Sequence, residues 1–422
     1  MAIARFAGIV LAAAACLSSS PGAQSPAPPA PAVAVLLKDA AVSAAREFVK
    51  QGEARVIEEE IELTEIPAPG FAEAVRGAAV KKKFEALGLK NVRVDRVGNV
   101  IGERPGLAAR PNIVLAAHLD TVFPEGTDVR VKREGSVLRA PGIGDDGRGL
   151  AVLLGVIRAL DAGRVQTRGT ITFVADVGEE GLSDLRGMRE LFGTTLKGQV
   201  DGFVSIDGTE HGITTVGVGS HRYRVTFHGP GGHSFGAFGL VNPIHALGRA
   251  VGRIADLQVP QEPKVTFNVG RIGGGTSVNS IASDAWFEMD MRSSDAAALA
   301  SIDASFQKAV DEAVKDENLR WNNGRLTVTK DLVSDRPAGS TAKTAAIVQT
   351  AAAVNQALGL PVSFGEGSTD ANIPMSLGIP AITIGGGGRG SGAHSPAESF
   401  DTTDSWKGTE RVLLVIVALA GK

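Results

Sequence analysis

This chain of 422 residues has a single cysteine, and it lacks long apolar runs and a large excess of one charge. The single cysteine, Cys16, lies in an N-terminal segment that we expect to be removed, so the mature chain would have neither a disulfide framework nor cysteine catalysis. No run approaches the roughly 18 apolar residues of a membrane span, which predicts no transmembrane helix. The net charge is −3 without any block of like charges, so nothing indicates a nucleic-acid partner.

The apolar segment near the N-terminus is typical of a signal peptide. Arg5 precedes FAGIVLAAAACL, which has the length of a signal-peptide core, is too short to span a bilayer and is followed by small residues. We expect residues 1–24 to be cleaved near Ala23 and the protein to be periplasmic or secreted, the alternative being an N-terminus that stays attached. LAAAAC resembles a lipoprotein site at Cys16 but lacks the larger aliphatic residue expected three positions earlier. The Pro- and Ala-rich residues 25–37 are predicted to form a linker.

The order of helical and strand patterns predicts two domains, one inserted into the other. A single core rarely grows beyond about 250–300 residues, and this chain is longer. Strand patterns alternate with helical ones in residues 38–218 and again in 335–422, which predicts an α/β sheet covered by helices on both faces. Residues 219–334 follow a β-α-β-β-α-β order, the ferredoxin-like split unit.

Histidines and acidic residues collect where the predicted strands of the larger domain end, the place where functional residues gather in such sheets. They are His118 and Asp120, Asp145 and Asp146, Glu179 and Glu180, Asp207, and His394. So many carboxylates repel one another, which calls for a counter-cation. Oxygen and imidazole ligands without thiolate suit zinc, cobalt or manganese.

Spacing suggests different tasks for neighbouring side chains. Residues two apart on a strand share a face, so the Asp120 carboxylate can accept from the His118 imidazole and fix the tautomer whose other nitrogen binds a metal. Adjacent residues point opposite ways, so one of Glu179 and Glu180 can ligate while the other faces a bound water. Asp146 is predicted to cap the following helix. Taken singly, each of these residues also fits a core histidine, a cap, a solvated loop or a turn.

The ordered motifs resemble the co-catalytic zinc hydrolase family of peptidase T, carboxypeptidase G and aminoacylase. They are HLD, GDD, GEEG, SIDG, GGHS, NPI, GGT-SVN, DMR, GSTD and GAHSPAE, spread over roughly residues 40–420. GDDGRG and SIDG favour the peptidase-T-like branch, although GDDGRG departs from the lysine-bearing form common in the family. The resemblance implies a three-layer α/β/α catalytic domain, of the zinc aminopeptidase and phosphorylase-hydrolase-like fold, with a ferredoxin-like α+β insert as lid and dimerisation domain.

The resemblance also implies two divalent metal ions, zinc before cobalt or manganese. Asp145 would bridge the ions, with one also held by His118 and Asp207 and the other by Glu180 and His394.

Further roles follow from the same resemblance. Asp120 would orient His118, and Glu179 would be the general base and acid for metal-activated water. His233 is similar to the histidine that donates to the developing oxyanion, often from the partner subunit of a homodimer formed through the insert. Contacts to substrate are implied for Asn279, Arg292, Thr369 and Asp370.

The sequence therefore predicts an exported dinuclear-metal hydrolase that cleaves short peptides at a chain end. The nearest alternative is deacylation of N-acyl amino acids at the same site. A serine hydrolase is a more distant alternative, because GHSFG fits the G-x-S-x-G elbow around Ser234 and Asp370 and His394 follow in order. A non-catalytic protein that binds metal or peptides is the remaining one, although an intact Glu179 argues against it.

Overall fold

The computed structural model describes residues 29–422, so the predicted signal peptide and Cys16 lie outside the described residues. Within that range, no helix combines the length and the apolar character that a membrane crossing requires.

The helices of the described chain are α1 Pro29–Leu36, α2 Ala40–Thr64, α3 Ala74–Ala86, α4 Arg148–Ala162, α5 Arg186–Glu190, α6 Pro243–Ala255, α7 Ala296–Trp321, α8 Ala346–Ala357, α9 Asn372–Ser376 and α10 Trp406–Ala420. The strands are β1 Lys90–Val94, β2 Val100–Arg104, β3 Asn112–His118, β4 Lys132–Glu134, β5 Val137–Arg139, β6 Thr170–Asp176, β7 Gly202–Ile206, β8 Ile213–Gly217, β9 Gly219–His228, β10 Gly232–His233, β11 Val265–Gly274, β12 Ser280–Ile281, β13 Asp284–Ser293, β14 Thr327–Arg336, β15 Gly339–Ser340, β16 Phe364–Gly367, β17 Ala381–Ile384, β18 Arg389–Ser391 and β19 Ser399–Asp401.

The larger domain is built on a mixed sheet in the order β1-β2-β6-β3-β7-β17-β8-β15, with β16 beside β8. Its centre is parallel, since β3 pairs with β6 and β7, and β7 pairs with β17, all in the same direction. These strands are buried almost without interruption rather than at alternate residues, as expected where both faces are covered.

Helices cover both faces of this sheet. Leu115 packs in one core with residues of α2, α4 and α10, whereas its neighbour Val114 packs on the opposite face with Met188 of α5 and Ile373 of α9. The predicted three-layer α/β/α architecture is confirmed.

The insert has its own sheet and core. Four antiparallel strands lie in the order β11-β13-β9-β14, and α6 and α7 pack on one face around Phe227, Phe287 and Phe306. The chain order β9-α6-β11-β13-α7-β14 is the predicted ferredoxin-like unit. Strand β14 continues to Arg336, two residues beyond the predicted end of the insert.

The predicted linker at 25–37 is wrong from Pro29 onward. There α1 packs against α8, and Val33 and Leu36 are buried in the core of the larger domain. Proline is tolerated in the first turn of a helix, and residues three apart lie on one helical face, so PAPAVAVL can form a helix with an apolar side.

Candidate metal centre and active site

The central parallel strands bring the predicted ligands to one edge of the sheet. His118 is the last residue of β3, Asp207 directly follows β7, and Glu179 and Glu180 come shortly after β6. Because these strands are parallel neighbours, their carboxyl ends meet, as expected in an open α/β sheet. His394 reaches the same place from the loop between β18 and β19.

Three overlapping sets of ligand atoms result. One of them, His118, Glu179 and Glu180, includes both glutamates, and the other two share Asp145. His118, Asp145 and Asp207 form one set, and Asp145, Glu180 and His394 form the other, with the atoms of each set within 4.8 Å of one another. The two carboxylate oxygens of Asp145 are divided between the sets: Oδ1 lies 3.0 Å from Nε2 of His118, and Oδ2 lies 3.0 Å from Nε2 of His394. This is the arrangement expected of a carboxylate that bridges two cations.

Charge at the centre is strongly perturbed. Burial raises the pKa of Asp207 to about 7 and that of Glu180 to about 8, and neighbouring carboxylates add to both shifts. Burial opposes ionisation of Asp145 as well, but hydrogen bonds from His118 and His394 hold the pKa of this carboxyl below its usual range. Clustered carboxylates and imidazoles without thiolate form a donor set that fits two divalent ions such as zinc.

Asp120 has a task that the sequence interpretation missed. Its carboxylate accepts hydrogen bonds from the backbone N–H groups of Gly178 (2.9 Å), Glu179 (3.0 Å) and Glu180 (2.9 Å). The expectation that this carboxylate pairs with the His118 imidazole is wrong, because Nδ1 lies 3.0 Å from the Asp120 backbone carbonyl and 3.8 Å from the carboxylate. The carbonyl therefore fixes the tautomer of His118, while the carboxylate fixes the turn that carries both glutamates.

Glu179 is buried beside the two ligand sets, where Nη1 of Arg336 donates to its Oε1 at 3.2 Å. Burial raises the pKa of Glu179, and the charges of Arg336 and His118 partly offset that shift. Sequence reasoning missed Arg336. The motif DRPAGS carries no signal beyond its position at the end of the last strand of the insert.

The turn that carries Asp145 is held by Glu398, for which the sequence left open a supporting role at the site or an exposed position. Its buried carboxylate accepts from the backbone N–H groups of Gly142 (2.7 Å), Gly144 (2.9 Å) and Asp145 (3.0 Å). Its position four residues after His394 was the only available signal.

Asp146 behaves as a cap and also as a tie between elements. Oδ1 accepts from the N–H of Gly149 in the first turn of α4 (3.0 Å), while Oδ2 accepts from the N–H of His118 (3.2 Å). The neighbouring aspartates thus divide into a ligand candidate, Asp145, and a structural residue.

A cavity of about 750 Å³ opens over the centre. Glu179, Glu180 and His394 line it from the larger domain, and the guanidinium groups of three arginines line it from the insert. These are Arg222, Arg292 and Arg336, and we call this space the arginine-lined cavity. Arg292 is where the resemblance implied a substrate contact, and its Nε donates to Asp290 at 2.8 Å.

His233 and Asn279 lie apart from the centre. Both are exposed at the small two-stranded sheet of β10 and β12 in the insert, and neither lines the arginine-lined cavity. Nδ1 of His233 accepts from the N–H groups of Phe235 and Gly236, at 3.2 Å each. One chain alone therefore does not bring His233 and Asn279 to the centre, and their implied roles stay predictions.

Thr369 and Asp370 are buried rather than exposed to a ligand. The hydroxyl of Thr369 lies 2.7 Å from that of Thr383, and Asp370 is 1% exposed. Neither residue lines the arginine-lined cavity, although the preceding Ser368 does, so the substrate contact implied for them stays a prediction.

The serine alternative fails on geometry. His394 faces Asp145 and Glu180, and among residues 29–422 no hydrogen bond links Ser234, Asp370 and His394 as a triad would require.

Comparisons with known proteins agree with this architecture. Residues 114–418 match the model of Peptidase family M20/M25/M40, well over half of the chain. The chain is 25% identical over 382 residues to the uncharacterized protein YqjE of Bacillus subtilis, covering 86% of this chain and 98% of the relative.

Two solved structures share the fold. Aminopeptidase PepT from Bacillus cereus has a TM-score of 0.71 at 23% identity, covering 87% of this chain and 99% of its own. The YXEP protein of Bacillus subtilis, a dinuclear metal binding peptidase, has a TM-score of 0.65 at 17% identity, with 87% and 99% covered. At these identities the likeness concerns the fold alone.

Proposed function

We propose, from the premise that this chain belongs to peptidase family M20/M25/M40 and is a metal-dependent peptide-bond hydrolase, that it is an exported enzyme acting on short peptides at a chain end. The observation that carries this proposal is the position of the buried Glu179 beside two ligand sets that share Asp145.

The ligand candidates would hold two ions. Asp145 would bind both, with the pair His118 and Asp207 on one ion and the pair Glu180 and His394 on the other. When bound, the ions would supply electrophilic activation of the scissile carbonyl and of water.

Glu179 would move the proton. Its carboxylate would accept a proton from the attacking water and return it to the leaving nitrogen. Burial raises the pKa of Glu179, while the charge of Arg336, which also donates a hydrogen bond to this carboxylate, lowers it. Asp120 would keep the Glu179 backbone in place.

The arginine-lined cavity would bind the carboxylate end of the substrate. A guanidinium pairs well with a carboxylate, and Arg222 and Arg292 both line this cavity while donating to Asp290. Its volume is in the range of small-ligand sites. N-acyl amino acids also carry a carboxylate, so deacylation remains the second candidate. The GDDGRG and SIDG motifs, which resemble the peptidase-T-like branch, favour peptides.

The insert would act as a lid and pair with a second copy of the chain. Phe235 is 89% exposed and Val278 102% exposed beside His233 and Asn279. A homodimer formed through the two-stranded sheet of β10 and β12 would cover these apolar side chains. His233 would then donate to the developing oxyanion in the partner's site.

Residues 1–24 would direct export as a signal peptide and would be removed from the mature protein. Amino-terminal sequencing of the protein recovered from the periplasm or the medium checks this, and a chain that still begins at Met1 would contradict it.

The decisive experiment is a substrate panel on metal-reconstituted enzyme, with dipeptides, tripeptides and N-acyl amino acids side by side. We expect peptide hydrolysis that a chelator abolishes and that zinc, cobalt or manganese restores. Glu179→Ala should keep its metal by elemental analysis while turnover falls by about two to four orders of magnitude. Glu125→Gln, at an exposed glutamate that does not line the arginine-lined cavity, is the matched control. Full activity of Glu179→Ala would refute the assigned base.

A further inference from the structure

A second cavity, of about 440 Å³, reaches the same centre and belongs wholly to the larger domain. Asp145 and Asp207 line it, as they line the arginine-lined cavity. Much of the remaining wall is glycine and threonine, contributed by the loops around residues 208–214 and 383–393. We call it the glycine-lined cavity.

The two cavities differ in charge. No lysine or arginine is among the residues that line the glycine-lined cavity, whereas three arginines line the other. Besides the ligand candidates, its acidic residues are Glu398 and Glu210. The Glu398 carboxylate already accepts three backbone N–H groups, which leaves Glu210 as the available anion.

Glu210 is fixed at its backbone and open at its side chain. A Cβ added to Gly385 would lie 2.2 Å from the Glu210 carbonyl oxygen, so the two backbones pack directly together. That carbonyl also accepts from Arg411 at 3.4 Å. Among the described residues, the Glu210 carboxylate has no hydrogen-bond or ion-pair partner, and the residue is exposed. A carboxylate whose backbone is fixed and whose oxygens have no protein partner is suited to pair with a cation at the rim of a cavity.

We infer that the glycine-lined cavity receives the amino-terminal side of a peptide and that the Glu210 carboxylate pairs with its free ammonium group. The peptide would then cross the centre with its carboxylate towards Arg222 and Arg292. This inference rests on the proposed function, because it assumes that the centre cleaves amide bonds. It also separates the two candidate activities, since an N-acyl amino acid has no ammonium group.

Calorimetry on metal-loaded Glu179→Gln protein tests the inference by binding, without turnover. The probes are Leu-Gly-Gly and its N-acetyl derivative. We expect the free tripeptide to bind about tenfold more tightly, the size of one hydrogen bond to a charged group. Adding Glu210→Gln should abolish that preference, Glu210→Asp should retain most of it, and Glu125→Gln should leave it unchanged.

Kinetics give a second readout in the active enzyme. Glu210→Gln should lower kcat/KM for Leu-Gly-Gly about tenfold and leave kcat/KM for the N-acetyl derivative unchanged. An unchanged preference in Glu210→Gln, or equal losses for both probes in a variant with wild-type thermal stability, would overturn the inference. Failure of the wild-type enzyme to hydrolyse any amide would instead refute the proposed function, and the calorimetric preference would still decide whether Glu210 recognises the ammonium group.

Discussion

At the scale of single residues, the clearest feature is that one carboxylate organises two others. Asp120 lines neither cavity, yet its two oxygens accept hydrogen bonds from the backbone N–H groups of Gly178, Glu179 and Glu180. Like charges are therefore brought together by hydrogen bonds to the chain rather than by contacts between their own side chains. The Asp120 carboxylate therefore positions both Glu179, the proposed base, and Glu180, the ligand candidate.

Asp120→Asn should separate support from metal binding. The amide keeps one acceptor oxygen and turns its NH₂ group towards backbone N–H groups, so at least one buried donor loses its partner. We expect kcat to fall about 10- to 100-fold, the value of a hydrogen bond to a charged group, with metal content retained. Steady-state kinetics and elemental analysis measure this. Loss of metal in proportion to activity would instead assign Asp120 to metal retention.

Metal uptake should depend on pH in a defined direction. Burial raises the pKa of Asp207 to about 7 and that of Glu180 to about 8 in the metal-free protein. A carboxyl whose pKa is higher when folded stabilises the fold at low pH, and this contribution is lost as the pH rises through the folded value, here between about pH 4 and pH 8. Bound cations favour the ionised form.

Saturating zinc or manganese should therefore raise Tm more at about pH 8 than at about pH 6. Scanning calorimetry with and without metal measures the difference. Asp207→Asn, which removes one of these titrating groups, should reduce it. An equal rise in Tm at both pH values would contradict the expectation.

At the scale of elements, Arg148 at the start of α4 joins the parts that surround the site. Fully buried, it pairs with Glu53 and Glu60 of α2 at 3.0 and 3.2 Å and donates to the backbone carbonyls of Gly386 (2.9 Å) and Ser405 (2.7 Å). The motif GDDGRG therefore combines a ligand candidate with an arginine that locks α2, α4, the loop after β17 and the segment before α10.

Arg148→Met should lower the free energy of unfolding by about 3–5 kcal/mol, because the Gly386 carbonyl and Glu60 lose their partner, while the Ser405 carbonyl and Glu53 each lose one of two partners. Urea denaturation measures the loss, and adding Glu60→Gln should recover part of it. Arg158→Met on the same helix is the control: its partner Glu59 keeps Arg55 and Lys83, so the cost should be much smaller. Equal losses in the two variants would contradict this account.

At the scale of the whole molecule, two domains, each with its own apolar core, meet at the candidate site. The insert has its own apolar cluster, and Arg336 at its last strand reaches back to Glu179 in the larger domain. The arginine-lined cavity spans both domains, so its shape depends on how the insert is held. The two-stranded sheet of β10 and β12, which carries His233, is exposed in the single chain.

We predict that the protein is a dimer in solution and that the two-stranded sheet of β10 and β12 forms the interface. Light scattering should give twice the mass of one chain. The double variant Phe235→Asp, Val278→Asp should be monomeric and lose about 10²–10³-fold in kcat, because the oxyanion donor would be absent. Leu107→Asp, at an apolar residue of the larger domain that is 78% exposed, should remain a dimer. A fully active monomeric variant would exclude the proposed role of His233.

Much of the fold and the ligand set could be predicted because their signals are local in the chain. Apolar runs alternating with helical patterns specify strands and helices, and the residue at the end of each run, such as His118 or Asp207, arrives at the common sheet edge whenever the strands are parallel. The β-α-β-β-α-β order of the insert is likewise a matter of sequence.

Only the tertiary structure decided which group supports which. The Asp120 and Glu398 carboxylates accept hydrogen bonds from distant backbone N–H groups, and Glu179 accepts one from Arg336. These bonds join positions far apart in the chain and depend on backbone directions that no pattern encodes. The sequence also did not predict the burial of Asp370 or the exposure of His233. A motif specifies residue types, but it does not specify whether a side chain faces the core or the solvent. By itself the sequence determined the chemistry available at the centre; packing determined how that chemistry is held and which charges face each cavity.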